Sequence, residues 1–442
     1  MVSMYDEVTA RIEQENVRFL RLQFVDINGT VKSLAIPSKN LDSIIEDGMM
    51  FDGSSVEGYA RIQESDMMLK PDISTFAIFP GPDDSNKKTA RLICDVWTYD
   101  GSKPFGGDPR YVLKRSIDFM KDELGKNISF NVGPELEFYL LEKENGSYTP
   151  HDTGSYFDFS PLDMAEDIRK DSALAMIDMG IPFEVSHHEV GAGQHEIGFK
   201  FGDALNVADQ IITYKIIVKM ISRMYDTIST FMPKPFSGMA GNGMHVNQSL
   251  YDTKAKKNLF SEDGGLSDMA KHYIGGILHH ARALTAVTNP TVNSYKRLVP
   301  GYEAPVYISW GQRNRSSLVR IPAATDKTRR TELRSPDSSC NPYLAFAAML
   351  SAGVDGIRRK LDPGEAAEGN IYKFDKSERE KANISRLPST LHEALAELSA
   401  DEQMRKALGD IAFNEFMRSK TMEWQEYRLD VSDWERERYL NV

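Results

Sequence analysis

The chain has 442 residues, 41% of them hydrophobic and 27% charged, an ordinary globular composition that excludes disordered and fibrous classes. A formal net charge of -12 excludes broad nonspecific nucleic-acid binding, which needs a basic surface. No apolar run approaches the roughly 18 residues of a membrane span, and Cys94 and Cys340 make no CxxC pair, so membrane, thiolate-zinc and disulfide classes drop out.

The N-terminal MVSMYDEVTARIEQENVRF is charged from Asp6 and has no signal-like apolar stretch, so a cytoplasmic protein is expected. The first 100 residues read as strands and turns. Val17 to Val25 and Val31 to Ile36 are rich in β-formers, and the Asn28-Gly29 turn between them signals a hairpin. A helix is expected from near Lys39, then a glycine-bearing loop, FDGSSVEGY, from Phe51 to Tyr59. Pro104, Gly106, Gly107 and Pro109 mark a linker. Helical spacing follows at Arg110 to Leu124, Asp163 to Met179, Ala208 to Phe231, Leu266 to Val287, Pro342 to Arg358 and Leu391 to Tyr427. Strand-like segments alternate with these: Phe130 to Leu141, Phe183 to Val190, His195 to Phe201, Gly243 to Leu250, Val306 to Trp310 and Leu318 to Ile321. The pattern predicts an α+β fold with a large antiparallel sheet.

Gly133-Pro134-Glu135-Leu136-Glu137-Phe138 sets two glutamates two residues apart, and a strand's pleat points both to one face. Alone, such a pair is an ordinary solvated face. Glu189 and Glu196 in HHEVGAGQHEIGF, His245 in GNGMHVNQSL and Glu332 in RRTELRSPD change the balance. Five glutamates and one histidine on strand-like elements can surround two or three hard cations, magnesium or manganese, since zinc favours sulfur and nitrogen. His187, His188 and His195 form no HExxH and are assigned outside the ligand set. Between Arg313 and Arg334 lie six arginines within 22 residues, which in an acidic chain suggest a phosphate-facing cluster over a solvated basic face.

In their shared order, FDGSSVEGY, GPELEFYL, HHEVGAGQHEIGF, GNGMHVNQS, KRLVPGYEAP, NRSSLVRIP and RRTELRSPD resemble type I glutamine synthetase over nearly the whole chain. The resemblance implies an N-terminal β-grasp-like domain (1–103) and a catalytic domain of curved antiparallel strands with helices (104–442). It implies two stacked hexameric rings, a homododecamer with sites between adjacent subunits, and a tail (430–442) that bridges the rings. One metal would take Glu137, Glu189 and Glu196; a second would take Glu135, His245 and Glu332. Glutamate would meet Gly241, Arg297, Glu303, Arg315 and Arg334. ATP would meet Glu184, Asn247, Ser249, Arg315, Arg320, Lys327 and Arg330. Ammonium would meet Asp52, Ser55, Tyr156, Glu189 and Glu303, with Asp52 contributed by the neighbouring subunit.

The implied chemistry is ATP-dependent joining of ammonia to glutamate. Phosphorylation makes the γ-carboxylate a usable electrophile, and metals with Arg315 and Arg320 neutralise the moving charge. Asp52 would be the general base for ammonium, against its plain alternative as an Asp-Gly turn residue. Glu303, in the hinge-like LVPGYEAP, would close the site against water. Asn370-Ile371-Tyr372-Lys373-Phe374-Asp375 departs from the N-L-Y-D-L-P-P loop of the adenylylated branch, which points to the shorter, non-adenylylated subtype. In that subtype Arg61 implies feedback inhibition by glutamine, and a nitrogen-regulatory protein is a conceivable partner. Competing expectations are a relative using another amine and a noncatalytic homologue; a P-loop ATPase lacks its GxxxxGK[ST] sequence.

Overall fold

The computed structural model describes residues 3–59, 66–81 and 87–442; Arg61 lies outside the described residues. The chain opens with a helix, α1 (Met4–Gln14), where only strands and turns were expected. Its start is a capping box in which the Ser3 and Asp6 side chains each accept or reach back across the first turn. Five strands follow: β1 (Phe19–Val25), β2 (Val31–Pro37), β3 (Met49–Asp52), β4 (Asp66–Ile78) and β5 (Thr89–Thr98), with α2 (Leu41–Asp47) between β2 and β3. They form one sheet in the order β2-β1-β5-β4-β3. β1 and β5 run parallel and the other neighbours antiparallel, as a β-grasp-like unit requires.

The second sheet is built on the long β6 (Ile128–Glu144). Around it run β7 (Ser147–Pro150), β8 (Phe183–His188), β9 (Gln194–Phe199), β10 (Gly202–Asp203), β11 (Ile228–Thr230), β12 (Met244–Asp252) and β13 (Lys257–Asn258). A short ribbon, β14 (Ser261–Glu262) and β15 (Gly265–Leu266), precedes β16 (Trp310–Gln312), β17 (Val319–Ile321) and β18 (Thr331–Leu333). The sheet runs β16-β17-β18-β12-β6-β9-β8, and only β16 and β17 pair in parallel. Helices α3 (Pro109–Leu124), α4 (Glu166–Asp178), α5 (Ala204–Met224), α6 (Asp268–His279), α7 (Ala281–Thr288) and α8 (Ser294–Arg297) surround it. Helix α9 (Pro342–Arg359) is the hub, buried at every residue from Pro342 to Gly356. It packs closely enough on α6 that a side chain at Gly353 would run into the ring of Tyr273. The chain ends in α10 (Lys376–Lys381), α11 (Leu391–Ala400), α12 (Glu402–Leu408), α13 (Asp410–Leu429) and α14 (Asp433–Tyr439).

The helix expected over Leu266 to Val287 is broken at His280 into α6 and α7. The one expected over Leu391 to Tyr427 is broken at Asp401 and Gly409 into α11, α12 and α13. Three further elements differ. The helix expected to run from Ala208 to Phe231 stops at Met224, because Asp226 turns into the left-handed region (φ 53°) and the chain continues as β11. The helix expected from Asp163 starts at Glu166, and Asp163 instead pairs with the buried Arg169 at 2.5 Å. The strand expected at Val306 to Trp310 begins only at Trp310, following Pro305.

Arg110, capped into place in the first turn of α3 by Asp108, joins the two parts of the molecule. Its guanidinium reaches Asp72 on β4 at 2.8 Å, Asp95 on β5 at 2.7 Å and Asp209 on α5 at 2.9 Å. The Tyr343 hydroxyl donates to the same Asp209 at 2.6 Å. Asn341 adds a second link, donating to the Asp26 and Ile27 carbonyls of the first hairpin. Removing one partner of a buried ion network strands the others. Arg110→Ala is therefore expected to cost about 3–5 kcal/mol, measured as a lower urea midpoint, with Arg110→Lys intermediate because an ammonium cannot fork to three carboxylates.

Candidate active site

The site begins with the pleat of β6. Phe130, Val132, Leu136 and Phe138 turn into the core, leaving Glu135 and Glu137 together on the opposite face. Cross-strand register then sets their neighbours: His245 of β12 lies opposite Glu135, Glu196 of β9 opposite Glu137, and His187 of β8 opposite Glu196. On the other side Glu332 of β18 lies opposite both Asn247 and Arg320. One row of charged side chains thus crosses six strands.

Two groups in this row have the geometry of cation sites. Donor atoms of Glu135, His245 and Glu332 lie within 4.8 Å of one another, as do those of His187, Glu189 and Glu196. His245 Nδ1 is 3.4 Å from Glu135 and 3.8 Å from Glu332. His187 stands 3.5 Å from Glu189 and 3.6 Å from Glu196, closer to the carboxylates than the sequence assignment outside the ligand set implied. Glu137 is held differently, accepting from the Gly243 amide at 2.6 Å and from Gln194 Nε2 at 3.3 Å.

Charge crowding is visible in these groups. Burial, then the neighbouring Glu137 and Glu196, push Glu189 up to about 8, and burial likewise raises Glu196. Burial also acts on Glu135, but His245, Asn247 and Arg320 outweigh it and hold that carboxyl at about 2. Glu332 is buried and sits in ion pairs with Arg334 at 2.6 Å and Arg320 at 2.9 Å. A half-buried set of carboxylate oxygens with imidazole, repelling one another, fits magnesium or manganese.

Five of the seven residues expected to meet ATP line one cavity of about 340 Å³: Glu184, Asn247, Ser249, Lys327 and Arg330, together with Glu135 and Glu196, while Arg315 and Arg320 are not in its lining. Arg330 donates to Asn247 Oδ1 at 2.9 Å, and Asn247 donates to Glu135 at 2.9 Å, so the cavity wall is wired to the carboxylate row. The six arginines separate. Arg320 and Arg334 turn to Glu332, Arg330 turns to Asn247, and Arg313 and Arg315 are exposed. Arg329 donates to the Gly264 carbonyl at 2.7 Å.

Arg297 is buried and donates to the Ser335 carbonyl at 2.7 Å and the Pro336 carbonyl at 3.2 Å. Its side chain explains the glycines beside it. A Cβ on Gly243 would lie 2.5 Å from Arg297 Nη2, and one on Gly241 would lie 2.9 Å from Arg297 Cγ. The Pro233 carbonyl, 2.5 Å from the same Gly241 Cβ position, closes that space further.

Glu303 is exposed in a loop and adopts a left-handed backbone (φ 59°). Tyr156 stacks on Phe157 at 4.0 Å and meets His187 edge-on at 5.7 Å, within electrostatic reach of Glu189 and Arg315. Asp52 and Ser55 remain in the first sheet's unit. Among the described residues the Asp52 carboxylate is bonded only by Ser54, through its amide at 2.8 Å and its hydroxyl at 2.6 Å, which lowers its pKa. Ser55 lines a separate cavity with Glu57, Glu415 and Arg418.

Two family profiles match the chain: "Glutamine synthetase, beta-Grasp domain" over residues 16–99 and "Glutamine synthetase, catalytic domain" over residues 106–439. The chain belongs to the glutamine synthetase family. Similar curated relatives include glutamine synthetase of Methanococcus voltae, 48% identical over 441 residues, with 98% of each chain covered. Glutamine synthetase of Staphylococcus aureus strain MW2 is 49% identical with the same coverage. A solved structure described as a GmaS/ADP complex is 32% identical with TM-score 0.89, covering 98% of this chain and 99% of that one. An apo GmaS structure gives TM-score 0.88 at 32% identity and full coverage of both.

The glutamine synthetase fold here uses residues that the sequence reading passed over. Gln194 Nε2 reaches Glu137, the Gly241 carbonyl and Asn242 Oδ1 at 3.2–3.3 Å, tying three segments of the site together. Asp152 accepts from the amides of Gly154 and Gly193 and from His188, bracing the Glu189 turn from behind. His188 and His195 are buried in that brace. The signal for Gln194 was its place inside GQHE; Asp152 had none. Asn247→Ala removes the amide that orients Glu135 and is expected to weaken Mn²⁺ binding about 10- to 100-fold without nucleotide, measured by calorimetric titration.

Proposed function

We propose that the chain joins ammonia to L-glutamate at the expense of ATP, releasing L-glutamine, ADP and phosphate through γ-glutamyl phosphate. The observation that carries this reading is the junction at Glu135. That residue lines the cavity together with Asn247, Ser249, Lys327 and Arg330, and also belongs to the row containing Glu332, Arg320 and Arg334. A nucleotide in the cavity would therefore direct its terminal phosphate at a substrate held on the arginine side.

The division of labour follows from charge. Glu137, Glu189 and Glu196 would hold one divalent cation, with His187 beside them, and Glu135, His245 and Glu332 a second. Bound magnesium or manganese would neutralise phosphate charge during transfer. Arg315 and Arg320 would meet phosphate oxygens, Arg320 from an anchored position against Glu332 and Arg315 from an exposed one that can swing. Arg297, Arg334 and Gly241 would bind glutamate, and Glu184 the outer part of the nucleotide. Asp52, Ser55, Tyr156, Glu189 and Glu303 would form an anionic ammonium pocket, with ionised Asp52 taking the proton and Glu303 excluding water.

Asp52 and Ser55 lie in a different unit from the carboxylate row, which supports contribution of this loop by an adjacent subunit. We propose domains at 1–103 and 104–442, a cytoplasmic dodecamer of two stacked hexamers, and glutamine feedback through Arg61. Among the described residues no helix is long and apolar enough to cross a membrane. Trp434, Tyr439 and Leu440 are exposed on the last helix and its end, in keeping with an inter-ring role. Deleting residues 432–442 is expected to leave single rings on size-exclusion chromatography; an intact dodecamer would remove that role.

The deciding assay supplies ATP, Mg²⁺ and glutamate with either ammonium or an organic amine. Turnover only with the organic amine would overturn the reading. Asp52→Ala is expected to lower kcat/KM for ammonium about 100- to 10,000-fold. Co-assembly of Asp52→Ala chains with Glu332→Ala chains is expected to restore part of the activity, because some interfaces then hold two intact halves. No recovery in mixed rings would place Asp52 in the site of its own chain.

A further inference from the structure

Tyr372 occupies the position of the modifiable tyrosine in the adenylylated branch, yet its surroundings give it another task. Asn370 caps the short turn Ile371–Lys373 by accepting from the Tyr372 amide at 3.1 Å, and Ile371 is fully buried. The Ile371 amide donates to Ser316 Oγ at 3.1 Å, while Asn314 Nδ2 donates to the Ala367 carbonyl at 3.0 Å and the Gly369 carbonyl at 2.8 Å. Tyr372 thus stands on a fixed base shared with the loop that carries Arg315.

From that base the Tyr372 hydroxyl donates to the Ala304 carbonyl at 2.8 Å, one residue beyond Glu303. Arg334, Arg297 and Glu303 are the charged groups acting on its phenol. The other shoulder of the loop is also held: the Tyr302 ring lies over Lys234 Nζ at 3.8 Å. Lys234 is itself fixed, its ammonium donating to the Met239 carbonyl and its backbone exchanging bonds with Asn293 at 2.7 and 3.1 Å. Between these anchors Glu303 keeps its left-handed backbone, which residues other than glycine hold only when their surroundings impose it.

We propose that Tyr372 is a positioning residue for the Glu303 loop, with the Lys234–Tyr302 contact as the second anchor. The proposal rests on the reading of Glu303 as the gate over the acyl phosphate. If the loop stands open, water attacks γ-glutamyl phosphate, the bond between the acyl group and the phosphate breaks, and glutamate and phosphate leave with a proton released to solvent. ATP is then consumed without glutamine.

The ratio of phosphate to glutamine therefore reads the loop directly. The native enzyme is expected to release one phosphate per glutamine. Tyr372→Phe removes one neutral hydrogen bond and is expected to raise that ratio and the KM for ammonium, each by about two- to tenfold, with KM for ATP unchanged. Lys234→Met is expected to act in the same direction, and Lys234→Arg to restore the native ratio because it keeps a cation under the ring. Thermal midpoints of the variants report whether a change is merely unfolding. A native ratio in Tyr372→Phe, alongside a raised ratio in Glu303→Gln, would overturn the anchor and leave the gate standing. A native ratio in Glu303→Gln itself would overturn the gate.

Discussion

Mutual repulsion among five carboxylates is the constraint around which the molecule is organised. Glu135, Glu137, Glu196 and Glu332 occupy neighbouring strand positions on one sheet face, with Glu189 in the turn just after β8, where water is partly excluded and like charges act strongly. A strand pleat is well suited to this, because it fixes each Cβ direction by backbone hydrogen bonds and leaves no rotation about a loop to relieve the crowding. Local compensation differs along the row. Glu332 has two arginines, Glu135 has an imidazole and an amide, and Glu137 has a backbone N–H and Gln194. Glu189 has His187 and the Val190 amide, Glu196 has His187, and both carry raised pKa values because burial and neighbouring carboxylate charge outweigh these partners. The least compensated end is the one with most to gain from a cation.

The same constraint explains the depth of support behind the sheet. Asp152, His188, His195, Asp163 and Arg169 form a buried polar layer behind the Glu189 turn, stitched by bonds of 2.5–2.9 Å. Arg169 Nε and His195 Nε2 have no hydrogen-bond partner within it, so the layer is only partly satisfied and carries a cost of its own. Further out, Arg110 ties the first sheet to α5, and α5 packs on β6.

What sequence made legible was whatever depends on local periodicity. Glu135 and Glu137 share a face by the pleat alone, and the nucleotide-side set converged on one cavity because Asn247 and Ser249 obey the same rule on β12. Tertiary facts were less visible. Nothing near Arg297 in the sequence announces that its side chain would pack against Gly241 and Gly243. The end of α5 was overrun because Asp226 has no sequence mark distinguishing it from any polar residue on a helix surface. Helix α1 was missed although Ser3 and Asp6 stand at capping-box spacing and Tyr5, Val8 and Ile12 form a short apolar stripe, since charged residues surround that stripe on every side. Asp52 lies in the first sheet's unit and the carboxylate row in the second sheet, a relation that periodicity does not encode.

An acidic chain that must gather anions faces an apparent contradiction, and the arrangement of arginines resolves it. The net charge of -12 is an average over the surface, whereas a substrate meets a local field. At the carboxylate row the field changes sign over a few residues: Arg297, Arg320, Arg330 and Arg334 lie on one flank, three of them oriented by acceptors inside the site. Glu332 is central to this inversion. Clamped by Arg320 and Arg334, it spends its charge on holding two guanidiniums in place, the Arg320 one partly exposed and the Arg334 one buried. Carboxylates that hold cations and carboxylates that hold arginines thus serve one end, converting negative charge in the sequence into fixed positive charge where phosphate and glutamate would meet.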